Sequence, residues 1–537
     1  MHHALIIVLT LLFSSLMLAV LAQKIKIAYP IFLVVAGLLI SFIPGLPKVH
    51  LNPELIFLVF LPPLLYEAAW YTSWNDFWKW RRVISMLAFG LVLITSLVVA
   101  FVSQALIPGF TLAMGFLLGG IISPPDAVAA NTVLKNLKVP KAISTILEGE
   151  SLINDASSLI VFRFALAAVV TGSFSVGEAV GDFFIVAGMG IVTGVIIAMA
   201  IFKLHRILPS IPAVDATLTV MTPYIMYLVA EEFHFSGVLA VVSGGLFISY
   251  RSHKIFDNGA TRMNMLGVWT TLVFVLNVLV FILIGLELPD IISGLGEYAI
   301  IDAIQYGLII SAVVIAIRIL WILPVAYIPK WLGQKDRMDT VNPTWKAPLL
   351  VGWAGMRGVV SLATALSIPL LLDSGEAFPH RNLILLITFI VIFVTLVFQG
   401  ITLPFLVKRL NIRDFEKTGK EGEEHAGIQL RLKQATLNKL EQKYSKDEAY
   451  VTIAEQLMQD VSGDISRLEQ QLQDLNYDEI SPDEQQKLHA IMHDIILVKR
   501  DELYKLRKEK HFSDEEIRRQ EYLLDLEELT TNHLKTH

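Results

Sequence analysis

The sequence predicts an all-α, polytopic membrane fold followed by a helical soluble tail, and three observations carry that prediction. First, 54% of the 537 residues are hydrophobic and only 17% are charged, which is rich in apolar residues for a soluble chain of this length. Second, the richness is uneven. From Ala4 to about Arg409 the chain is a succession of long apolar runs, and beyond that point it is strongly charged. Third, Lys and Arg alternate in density from one loop to the next, as positive-inside bias requires. The expected division is therefore a transmembrane domain over residues 1–409 and a cytoplasmic tail over residues 410–537. The first carries 24 Lys+Arg against 21 Asp+Glu, a balance of +3, and the second 19 against 28, a balance of −9, giving the formal −6 of the whole chain. Neither balance suggests nucleic-acid binding. The chain has no cysteine, which excludes disulfides and thiolate ligands.

About thirteen apolar stretches qualify as spans: residues 4–22, 28–44, 54–72, 83–107, 111–133, 141–170, 181–206, 214–231, 235–250, 265–288, 301–326, 346–372 and 382–409. The first ends in Val20-Leu21-Ala22-Gln23, which is like a signal-peptidase site. Only His2 and His3 precede it, with no Lys or Arg, so it reads as an uncleaved span. With the N-terminus outside and the C-terminus cytoplasmic, the inner segments hold 19 Lys and Arg and the outer loops only Lys48 and Arg381. One missed or extra span would scramble that bias.

The third span carries Glu67 just after Leu61-Pro62-Pro63-Leu64-Leu65-Tyr66, and Trp70, Trp74, Trp78 and Trp80 near its end suit an interfacial belt. Two spans are broken. The fifth contains Ser123-Pro124-Pro125-Asp126, where two prolines remove two amide donors. The twelfth contains Gly352-Trp353-Ala354-Gly355-Met356-Arg357-Gly358, a glycine-rich interruption with a cation. Irregular backbone at membrane depth persists only where it is buried or lines a cavity. The breaks fall seven spans apart, and an odd offset reverses direction, so spans one to six and eight to thirteen read as inverted repeats. Interrupted helices at matching places in two halves are the best sequence pointer to a transport site.

The sixth span holds Leu147-Glu148-Gly149-Glu150-Ser151-Leu152-Ile153-Asn154-Asp155-Ala156. Glu150 and Asn154, and likewise Ser151 and Asp155, are four residues apart and share a helical face. Oxygen-bearing groups at mid-membrane are expensive, which makes this stripe a functional hypothesis. Arg163, Arg318 and Arg357 also lie within spans and need internal partners; the intramembrane acids on offer are Glu67, Asp126, Glu148, Glu150, Asp155 and Glu287. Glu231, Glu232 and His234 read as solvated at an outer loop. In the tail, spaced apolar residues predict helices over 429–444, 449–475, 482–510 and 514–534, the last two opened by capping boxes at Ser481 and Ser513, with a linker at Gly419–Gly427. No catalytic motif stands out there, and the tail reads as a partner-binding or regulatory module whose partner the sequence does not name.

A carboxylate held away from water holds a proton or a cation, and hardly both. Hard cations want oxygen ligands, which Asp155, Ser151, Asp126 and carbonyls freed at the broken fifth span supply. Competition for one acid, combined with alternating access, is exchange.

The stretches Ile122-Ser123-Pro124-Pro125-Asp126-Ala127-Val128-Ala129, Glu148 to Asp155 and Gly355-Met356-Arg357-Gly358 closely resemble the sodium/proton exchanger family, within the monovalent cation:proton antiporters. The resemblance covers about residues 4–409. It implies two crossing broken helices in a core, a separate dimerisation region, a homodimer with elevator-like movement, and exchange of Na+ or Li+ for H+ at the plasma membrane without a cofactor. It further implies that Asp155 is the carrier, that Asp126 and Ser151 lie beside the cation, that Glu67 is an outer ligand, and that Glu150 pairs with Arg318. Family members with Asn at the position of Asn154 look electroneutral, one cation for one proton. One departure is visible: Pro125 stands where the family usually has Thr or Val before the broken-helix aspartate. A K+/H+ antiporter is the nearest alternative. An intramembrane aspartyl protease is a remote one, since Asp126 follows Pro-Pro and Asp155 follows Asn rather than the Tyr-Asp and Gly-x-Gly-Asp contexts of such enzymes.

Overall fold

A computed structural model describes residues 2–43, 56–135, 137, 139–172, 176–209, 211–252, 255, 259–295, 299–331, 345–372, 375–410, 420–444 and 451–473, with scattered positions beyond 494. Helix dominates the described residues, and an isolated bridge pairs Leu371 with Ala377. The chain divides into two units, Met1–Glu416 and Lys417–His537.

The first unit is built from α1 (His2–Lys24), α2 (Tyr29–Ser41), α3 (Leu61–Tyr71), α4 (Trp74–Ser85), α5 (Val92–Leu106), α6 (Leu112–Ile122), α7 (Ala127–Leu134), α8 (Lys141–Thr171) and α9 (Val176–Ile207). It continues through α10 (Pro212–Glu232), α11 (Gly237–Arg251), α12 (Gly259–Leu286), α13 (Leu288–Ser293), α14 (Ile300–Trp331), α15 (Lys346–Trp353), α16 (Val359–Leu366), α17 (Arg381–Phe393) and α18 (Gly400–Leu410). In this unit, helix falls on each predicted span within the described residues. Among the described residues nine helices are long and apolar enough to cross a bilayer, and α2, Phe57–Tyr71 and α11 are shorter apolar helices. The remaining expected span is the broken pair α15–α16. Local signals explain many of the ends: Pro30, Pro62 and Pro212 open α2, α3 and α10, Thr111 and Ser236 cap α6 and α11, and Gly172 closes α8 at φ 69°.

Two hydrophobic clusters organise this unit. The larger gathers α2, α4 to α7, the end of α12 and α14 to α18; the smaller gathers α3, α9, α10, α11 and the start of α12. Helix α8 feeds both, with Leu147 and Phe162 in the larger and Leu152 and Ala156 in the smaller. Gly115 and Gly119 let α6 lie directly on the α5 backbone at Ala100 and Ser96, where a Cβ would collide. Of the expected aromatic belt, Trp74 and Trp78 are exposed, whereas Trp80 turns into the larger cluster.

Short π-helical turns lead into α3 at Ile56–Phe60, join α4 to α5 at Met86–Leu91 and join α17 to α18 at Val394–Gln399. Such turns disturb the carbonyl ladder and are frequent at functional sites. Here two of them touch the site helices: Ala88 O accepts from Ser157 Oγ at 2.5 Å, and Thr395 Oγ1 accepts from the Arg357 amide at 3.1 Å.

In the second unit, α19 (Lys420–Lys439) runs into a π turn and is followed by α20 (Val451–Gln473). Lys433 Nζ meets Asp464 Oδ2 at 2.7 Å between them. The stretch read as a linker at Gly419–Gly427 is helical from Lys420. The capping boxes at Ser481 and Ser513 lie outside the described residues.

Candidate functional site

The two broken helices meet at their breaks. The Asp126 amide donates to Met356 O at 2.6 Å, and Arg357 Nε donates to Ile122 O at 3.1 Å. Four helix ends therefore converge: the C-termini of α6 and α15 and the N-termini of α7 and α16. Helix C-termini carry partial negative charge and N-termini partial positive charge. Arg357, fully buried, answers the first pair by donating to Ile122 O of α6 and to Gly355 O just after α15. Asp126 answers the second pair. Its Oδ1 accepts from Val128 N at 2.8 Å at the start of α7, and its carboxylate lies so close to Gly358, at the start of α16, that a Cβ there would overlap it. Each half-helix pair thus has one compensating side chain of opposite sign.

Helix α8 passes beside this crossing and presents the predicted stripe to it. Ser151 Oγ accepts from Ala127 N at 3.3 Å, and Asn154 Nδ2 donates to Pro125 O at 3.2 Å. Pro125, which brings no side-chain oxygen, thereby contributes a carbonyl to the contact. Asn154 is fully buried and its Oδ1 has no hydrogen-bond partner among the described residues. Asp155 is 7% exposed and electrostatically coupled to Asp126. Among the described residues its carboxylate has no hydrogen-bond or ion-pair partner. Two carboxylates, an amide oxygen and a hydroxyl therefore stand at one crossing. No group of three or more His, Cys, Asp or Glu among the described residues is placed to hold a metal. A hard monovalent ion held by two acids and neutral oxygens, and released again, fits this donor set.

The expected ion pair is formed. Arg318 of α14 reaches Glu150 of α8 in a bidentate contact, 2.5 Å to Oε1 and 2.7 Å to Oε2, with both side chains essentially inaccessible. Glu150 also offsets the buried charge of Arg357.

Glu67, on α3, is half-buried and has Glu148 as its electrostatic neighbour. The structure thus groups Glu67 with Glu148 and with Tyr29, whose hydroxyl is linked to Thr132 and lies in the field of both Asp126 and Glu67. Asn131 Nδ2 donates to Glu148 Oε1 at 2.8 Å. Tyr29, Asn131 and Thr132 were not singled out from the sequence. Glu67, Asp126, Asn131, Thr132, Glu148 and Ser151 are all partly accessible, forming a polar approach on the Lys141 side of α8.

Arg163 has a partner the sequence reading did not assign. Its Nη2 binds Glu231 of α10 in a bidentate contact at 2.7 and 3.0 Å. Glu231 is therefore not simply solvated, as its place near a loop had implied.

Residues 8–409 match the family model described as sodium/hydrogen exchanger, transmembrane. A sodium, potassium, lithium and rubidium/H+ antiporter of Bacillus pumilus is 36% identical over 391 residues, covering 71% of this chain and 58% of its own length. A protein of Escherichia coli named as an uncharacterized Na+/H+ exchanger is 30% identical over 534 residues, 97% of each chain, so that this likeness extends through the tail. The solved structure of the sodium proton antiporter MjNhaP1 from Methanocaldococcus jannaschii shares the fold, with a TM-score of 0.61 at 18% identity over 76% of this chain and 99% of that one. With broken helices, a paired Glu150–Arg318 and an Asn154–Asp155 stripe at their crossing, and with the family model spanning nearly all of the first unit, the chain belongs to the sodium/hydrogen exchanger family.

Proposed function

We propose that this chain is a secondary active antiporter that exchanges Na+ (or Li+) for H+ across the plasma membrane, one for one and without a cofactor. The observation that carries the reading is the Asp155 carboxylate: buried at mid-helix, unpaired among the described residues, and beside Asp126 at the crossing. In one half-cycle it holds a proton. In the other it holds Na+ with Asp126, Ser151 Oγ and Asn154 Oδ1 as oxygen partners, and Glu67 receives the ion along the polar approach. Asp126 and Arg357 keep the helix ends compensated whichever ion is aboard. Asn154, which adds no titrating acid next to the carrier beyond Asp126, is the basis for one charge in each direction.

Thirteen crossings, an outer N-terminus and a cytoplasmic C-terminus follow from the lysine and arginine distribution. A homodimer follows from the family resemblance. Membership of a transporter family removes the ground for an intramembrane protease. K+ is the alternative cargo with specific support, since the Bacillus pumilus relative's name includes potassium; oxygen ligands alone do not choose between the two ions. The test is a pH-dye assay in proteoliposomes with Na+, Li+ or K+ added outside. Asp155→Asn should remove cation-driven proton flux while leaving a folded protein, and full flux in that variant would defeat the reading.

A further inference from the structure

We propose that the Arg163–Glu231 ion pair is the outer gate of the transport route, closing a pocket that leads from the far side of α8 toward Asp155. The inference rests on the reading of Asp155 as the carrier. The pair joins two elements that must separate for such a route to open. Arg163 lies on α8, next to Phe162 of the larger hydrophobic cluster, while Glu231 ends α10, next to Ala230 of the smaller one. Glu231 Oε1 also accepts from the Gly237 amide at 3.1 Å, so one carboxylate ties α8, α10 and α11 together.

A pocket of about 370 Å³ lies against this tie. Its α8 wall is Ala156, Leu159, Ile160, Phe162 and Arg163, a stretch that begins one residue past Asp155 and runs away from the Glu148 approach; Phe57 and Val238 stand among the other linings. That volume has room for roughly a dozen waters at about 30 Å³ each, enough to hydrate a passing ion. The wall is mostly apolar, however, and its cation, Arg163, would repel a cation unless neutralised. With the pair made, α8, α10 and α11 are held together on the far side, while Glu67, Asp126, Glu148 and Ser151 remain partly accessible on the near side. With the pair broken, Glu231 becomes a carboxylate without its counterion at the mouth, held by the Gly237 amide and suited to receive a cation. Swinging Arg163 aside is then the same event as opening the route.

The chain has no cysteine, so Leu159→Cys gives it a single thiol, and labelling read on the purified protein reports access to the pocket. In intact cells, a membrane-impermeant charged thiol reagent added outside should label that cysteine slowly. Glu231→Gln should raise the labelling rate about fivefold, the population shift that corresponds to about 1 kcal/mol for a well-aligned, partly exposed pair. Arg163→Gln should do the same from the other partner, which covers the case of one variant failing to fold. The exchanged pair, Arg163→Glu with Glu231→Arg, should label as slowly as the reporter alone. An unchanged rate in both single variants, or an exchanged pair labelling as fast as they do, would overturn the proposal. Labelling needs no transport, so it is read independently of Asp155→Asn: full exchange in that variant would remove the carrier reading, while the labelling ratios would still report on the gate.

Discussion

Glu150→Gln should destabilise the protein more than Arg318→Gln, and the asymmetry comes from a third charge. The Glu150 and Arg318 side chains are 1% and 0% exposed and meet at 2.5 and 2.7 Å. Removing one partner of such a buried pair costs about 3–5 kcal/mol, because the survivor keeps its desolvation cost without its counterion. After Glu150→Gln, Arg318 and Arg357 remain as mutually repelling buried cations without the anion that served both. The only other acceptor recorded for Arg318 among the described residues is Val351 O, at a long 3.4 Å. After Arg318→Gln, Glu150 still has Arg357 nearby. The first loss should therefore lie near the top of that range and the second near the bottom, about 2 kcal/mol apart. Thermal unfolding in detergent, followed by tryptophan fluorescence, should show Glu150→Gln melting first by a few degrees, roughly 1–2 °C per kcal/mol for a chain this large. Glu150→Arg with Arg318→Glu should recover part of the loss. Equal melting of both single variants, with no recovery in the exchanged pair, would refute the reasoning.

Gly358→Ala should cut exchange on the order of tenfold to a hundredfold, since a Cβ there displaces the Asp126 carboxylate and small displacements at a working site are costly. The φ of −139° at Gly358 is open to any residue, so full exchange in the variant would mean the contact does not matter. Asn154→Asp should make exchange respond to an imposed membrane potential, by adding an acid next to the carrier on its own helix, beyond Asp126; an unaltered response in potassium-diffusion-potential vesicles would count against the stoichiometry. In the tail, Lys433 lowers the pKa of Asp464. The sign follows from linkage: the contact's contribution is complete above the ordinary aspartate pKa and disappears as pH falls through the lowered one. The effect at this exposed pair should be small, salt-sensitive and absent in Asp464→Asn, as followed by the carboxyl NMR signal of Asp464.

Much of the fold was legible because the physics of a bilayer writes it locally. Pro124-Pro125 and the Gly352–Gly358 run cannot continue a helix, and both breaks fall where they were expected. Residues four apart on one helix were placed on one face, and Ser151 and Asn154 do reach the break beside them. What stayed hidden depends on tertiary meeting points. Arg163 and Glu231 are 68 residues apart on different helices, and no spacing rule links them. Glu150 and Arg318, 168 apart, were paired only through the family resemblance. The compensation of four helix ends by Asp126 and Arg357 follows from how the breaks cross, which neither break announces. The π turns that bring Ala88 and Thr395 to the site have no composition signal. Gly422 and Gly427 read as a linker on propensity alone, yet the helix that starts at Lys420 runs through both.

The central claim is that one carboxylate takes either a proton or Na+. The most direct measurement is the apparent KM for Na+ in proteoliposomes as the pH on the Na+ side is lowered. Competition at a single acid predicts that KM climbs about tenfold per pH unit on the acid limb while the rate at saturating Na+ holds constant, and that Asp155→Asn shows no exchange at any pH. A KM that stays flat while the maximal rate falls, or pH-dependent exchange surviving in Asp155→Asn, would contradict it.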